Sequence, residues 1–122
     1  MRTEVVEYDG AKFTVSEANN RIQIRRDLLE GDGRRAIEPD EDRRYLRIYS
    51  YPPVCAAVTQ AEGVPYAWPP DFETFYELMP GALTIKLENA IFRLNPHWLP
   101  NGGASEDPKA PAQESTSGSS TG

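Results

Sequence analysis

The stretch 68–100, WPPDFETFYELMPGALTIKLENAIFRLNPHWLP, decides how the chain is read. Two apolar stripes at helical spacing run through it. Phe72, Phe75, Tyr76 and Met79 fall at i, i+3, i+4 and i+7 behind Asp71, a residue type suited to capping a first turn. Pro80-Gly81 stops that stripe, and Leu83, Leu87, Ala90, Ile91 and Leu94 form a second one, ended by Asn95-Pro96. The spacing predicts helices over about 71–79 and 82–95. Each has one apolar face, which another element must cover.

Upstream, GVPYAWPP at 63–70 reads as a proline-rich connection lying across the surface, carrying Tyr66 and Trp68. Val54, Ala57, Val58 and Ala61 recur at helical spacing before Gly63, which predicts a helix over 53–62. Pro52-Pro53 separates it from a helix over 40–50 that opens on Asp40, Glu41 and Asp42, acids placed where the helix dipole favours negative charge. A further helix is predicted over 16–30, capped by Ser16 and ended by Gly31-Asp32-Gly33.

At the start of the chain, β-branched and aromatic residues flank Asp9-Gly10, a dipeptide that readily takes the positive φ angles of a tight turn. This predicts a β-hairpin over 3–15. A lone hairpin is barely stable, so its apolar residues must pack on the helices, and its free edge is a candidate contact for a second copy of the chain. The predicted class is α+β, mostly α: an N-terminal hairpin and a bundle of four to five helices in one domain over 1–100. Residues 101–122 contain no aromatic residue and no aliphatic one larger than Ala, which predicts a disordered tail.

The chain has 122 residues and a net charge of −6. That charge argues against non-specific attraction to nucleic acid or to an anionic membrane. Eight arginines lie between Arg21 and Arg47, but eight acids between Glu17 and Asp42 balance them, the pattern of a solvated helix face. There is no apolar segment of signal-peptide or membrane-spanning length, which places the protein in the cytoplasm.

Little in the sequence points to catalysis. Cys55 is the one cysteine and His97 the one histidine, which rules out a disulfide within the chain and a two-histidine metal site. No motif surrounds either residue, so a Cys55–His97 nucleophile pair has no support. Gly31-Asp32-Gly33 lacks the strand, the third glycine and the Lys-Ser/Thr of phosphate-binding loops. The expectation is a non-enzymatic protein without cofactor or metal. Tyr51, Tyr66, Trp68, Phe92 and Trp98 fit the core stripes least well, and exposed Tyr and Trp are typical interface anchors, so these five are the candidates for partner binding.

Three segments carry a resemblance: EVVEYDGAKFTVSEAN at 4–19, RRDLL at 25–29 and DFETFYELMPGALTIKLENAIFRLNPHWLP at 71–100. In order and character they resemble the tail assembly chaperones of long-tailed bacteriophages, over about residues 3–100. The resemblance implies a protein that binds the tape measure protein, keeps it soluble and helps recruit tail tube subunits in the host cytoplasm. It also implies a longer frameshifted product, with the segment from Asn101 acting as a tether near the junction. The Pro52-Pro53 pair and the Ser/Gly-rich tail depart from that pattern. Two other readings remain open: a structural head-tail connector or minor tail protein, and a small nucleic-acid-binding regulatory module using the face from Arg21 to Arg47.

Overall fold

A computed structural model describes residues 1–99. The tail read as disordered, 101–122, lies outside the described residues. Strands β1 (Thr3–Tyr8) and β2 (Ala11–Ser16) form the predicted hairpin. Asp9 (φ 49°) and Gly10 (φ 83°) supply the two positive φ angles of its turn, and the register sets Val6 opposite Phe13 and Glu4 opposite Val15. Phe13 and Val15 are fully buried on the face that meets the helices.

The helix predicted over 53–62 is corrected in its second half. Helix α3 covers Tyr51–Ala57, and Val58–Glu62 is a third strand, β3, antiparallel to β2 with Phe13 opposite Ala61. The sheet order is β1-β2-β3. Without β3, the outer backbone groups of β2 would lie unpaired beside the core, and pairing with Val58–Glu62 satisfies them. Local spacing could not reveal this, because the partner strand lies far back in the chain.

Helix α1 spans Asn20–Arg35, against the predicted 16–30. Ser16 is instead the last residue of β2, and the cap is Asn19, whose Oδ1 accepts from the Ile22 amide at 2.9 Å. The glycines do not end the helix. Gly33 is buried against the next segment, where a Cβ would stand 2.7 Å from the Arg47 carbonyl oxygen. Its lack of a side chain therefore serves a close helix approach.

The break expected at Pro52-Pro53 is also absent. Helix α2 (Glu41–Tyr45), capped by Asp40, passes into a π-helical turn, Leu46–Ser50, and then into α3. The Tyr51 amide donates to the Leu46 carbonyl, five residues back. Prolines at the first positions of α3 have no amide to donate, so a widened turn placed just before them loses little. The chain from 41 to 57 is one rod with a seam.

The Trp68–Pro69 peptide bond, in the connection to α4, is cis. Helices α4 (Phe72–Leu78) and α5 (Gly81–Leu94) follow, and Asp71 caps α4 by accepting from the Thr74 amide at 2.8 Å. Leu83, Leu87, Ala90, Ile91 and Leu94 of α5 are all buried, in one cluster with Val6, Phe13 and Val15 of the sheet and Val54 of α3. Polar contacts fix the rim. Glu4 pairs with Arg93, and the Lys86 ammonium donates to the Glu7 carbonyl at 3.0 Å. Asn95, fully buried, accepts from the Ala18 amide at 2.7 Å and donates to the carbonyls of Ser16 and Ile91. It locks the end of α5 to the chain leaving β2.

Candidate functional site

A groove of about 790 Å3 opens between α1, the π seam and the C-terminal half of α5. Tyr45 and Tyr49 form one lip. They sit one helical turn apart, with ring centroids 5.0 Å from each other, and are 58% and 45% exposed, more than any other aromatic residue among those described. Phe92 and Trp98 form the opposite wall, and Arg26 and Glu30 of α1 close the side. A second hollow of about 420 Å3 shares Tyr45, Ser50 and Glu88 with the first and extends to Ile85 and Tyr76. The two make one apolar trough along α5.

Two polar features lie in the trough. Glu88 sits at the junction of the hollows, and burial pushes its carboxyl above the usual range, with a bond from the Ser50 hydroxyl pulling the other way. The Arg26 guanidinium stacks over the Trp98 ring at 5.1 Å and pairs with Asp27 and Glu30, yet its buried Nε has no hydrogen-bond partner among the described residues. A buried donor left unpaired is costly, so this atom is a point of strain in the wall of the trough.

The five candidate residues separate into three places. Phe92 and Trp98 line the trough, but Trp98 is 4% exposed and its indole N–H donates to Gln23 Oε1 at 2.8 Å. It is a structural wall, not the free anchor expected. Tyr66 and Trp68 lie on another side of the molecule, half-buried, with the Trp68 indole donating to the Val58 carbonyl at 2.8 Å and packing edge-on against Phe13. Tyr51 belongs to the core margin: its hydroxyl donates to the Pro70 carbonyl at 2.8 Å, its ring meets Phe72 and Phe75 edge-on, and burial pushes its phenol up.

Tyr45 and Tyr49 were absent from the candidates. Their one signal in the sequence is the i, i+4 repeat of tyrosine within a charged helix, off the apolar stripe.

The arginine-rich face is largely consumed by internal contacts. Arg43 pairs with Glu38 and Glu73 and lies over the rings of Phe72 and Tyr76, and Arg47 lies over Phe72 at 4.8 Å. Cys55 is 2% exposed, and burial pushes its thiol up to about 12, which keeps it protonated and a poor nucleophile. His97 stands exposed beside Gln23 and is not among the groups that act on that thiol. No cluster of three metal-ligating side chains occurs among the described residues, and no helix among them is long and apolar enough to cross a membrane. Compared with family models, with curated proteins and with solved structures, the chain matches none.

Proposed function

We propose that this protein acts by contact, without catalysis, and that its trough receives an amphipathic helix from a protein partner. The observation that carries this reading is the continuous apolar trough with two exposed tyrosines, their rings tilted against each other, on its lip. Helix-in-groove recognition uses anchors at i, i+3, i+4 and i+7, and a trough running along α5 offers successive hollows for such anchors. Glu88 at the junction suits a partner helix with one cationic or donor side chain among its apolar ones.

The sequence resemblance supplies the partner. The protein is proposed to be a tail assembly chaperone of a long-tailed bacteriophage that covers apolar helices of the tape measure protein in the host cytoplasm and helps recruit tail tube subunits. Tyr45→Ser combined with Tyr49→Ser alters exposed side chains only, so circular dichroism stays unchanged. Loss of two aromatic anchors lowers co-purified tape measure protein by about tenfold or more. Full recovery by the folded double variant would remove the trough from the binding site. Mass spectrometry of purified virions separates the readings further: a chaperone leaves the finished particle, whereas a head-tail connector or minor tail protein stays in it.

A further inference from the structure

Helix α1 carries five arginines, and three of them are spent within the helix: Arg26 on Asp27 and Glu30, Arg34 on Glu30, and Arg35 on Asp32. Arg21 and Arg25 are not. Neither has an ion-pair partner among the described residues, both are exposed, and they lie one turn apart on the same flank of the helix. They also share a cleft, of about 190 Å3, with Ile22, Val58, Thr59 and Trp68.

Several features make this cleft locally positive in a chain of net charge −6. The first turn of α1 holds no acidic residue, so the positive end of its dipole adds to the two guanidinium groups. Paired guanidinium forks favour carboxylate or phosphate oxygens. The cleft's size and walls narrow the choice. Its volume admits a head group with a short apolar stem, and Ile22, Val58 and Trp68 offer surface to methylene groups. A nucleic acid duplex, with its dense and extended charge, would meet the acidic remainder of the protein, while a short peptide that reaches in with one acidic side chain meets far less of it.

We propose that the Arg21–Arg25–Trp68 cleft binds a glutamate or aspartate side chain of an acidic peptide segment of a protein partner. This site lies on a different flank of α1 from the trough and does not rest on the trough's occupant, so either can fail alone.

The test is a titration of the isotopically labelled full chain followed by NMR, reading the Arg Nε–Hε and Trp indole resonances. The probes are an amidated hexaglutamate peptide, inorganic phosphate and a duplex oligonucleotide. The expected result is a saturable shift at Arg21, Arg25 and Trp68 with hexaglutamate. Arg21→Gln with Arg25→Gln weakens that binding by about tenfold or more, while Arg44→Gln, at an exposed arginine of α2 with no ion pair among the described residues, leaves it intact. Both positions in the double variant are exposed, so an unchanged circular dichroism spectrum is expected with it. A shift that never saturates, or an equal loss with Arg44→Gln, overturns the site. Saturable binding of phosphate or oligonucleotide in preference to hexaglutamate overturns the carboxylate assignment.

Discussion

Helices α5 and α1, 14 and 16 residues long, do opposite work. Helix α5 buries five apolar side chains against the sheet and α3. Helix α1 buries only Ile22 and Gly33, while Ile24 and Leu28 stand 56% and 64% exposed on its outer face. What holds α1 in place is close packing along α3 and the π turn, including the backbone approach at Gly33, and polar contacts from Gln23 and Arg26 to Trp98. The difference teaches where binding can reside. A helix committed on its apolar face supports the fold, whereas one that packs closely along one side but buries few side chains keeps both flanks for the trough and the arginine cleft.

That contrast can be broken by substitution. Leu87→Ala removes a fully buried side chain at the centre of α5 and is expected to cost about 2–5 kcal/mol in urea unfolding. A cost near zero would mean that α5 is not the spine of the core. Gly33→Ala places a methyl group against the Arg47 backbone and is expected to cost about 1–3 kcal/mol. A gain in stability, the usual result for glycine to alanine inside a helix, would show that α1 does not approach the seam as closely as described. Ile24→Ser combined with Leu28→Ser has the smallest effect, within about 0.5 kcal/mol at each site. A larger loss, dependent on protein concentration, would show that a second copy covers this face.

Where local pattern and tertiary role agree, the fold was legible. The α4 and α5 stripes, the Pro80-Gly81 stop and the Asp9-Gly10 turn are each determined within a few residues, and all are found close to where they were read. Long-range pairing defeated the reading elsewhere. Val58–Glu62 is a strand because β2 needs a partner, and its spacing mimics a helix only because Val54, Ala57 and Val58 happen to face one core. Gly31 and Gly33 read as terminators because the packing of Gly33 against Arg47 cannot be seen from α1 alone. The trough was half legible: Phe92 and Trp98 were named, but Tyr45 and Tyr49 were hidden in a segment whose charges resemble an ordinary solvated surface. The burial of Trp98 depends on Gln23 and Arg26, both distant in sequence.

The contact between the first strand and the last long helix has a topological consequence. The Arg2 guanidinium reaches the Leu94 carbonyl at 3.4 Å, so the residue ahead of β1 and the end of α5 meet at one corner. A unit of residues 1–99 whose first and last elements meet in this way can be spliced into a loop of another protein without stretching its interior. The same corner lies beside the trough, through Trp98 and Leu99. Anything joined ahead of Arg2 is therefore held within reach of whatever the trough holds.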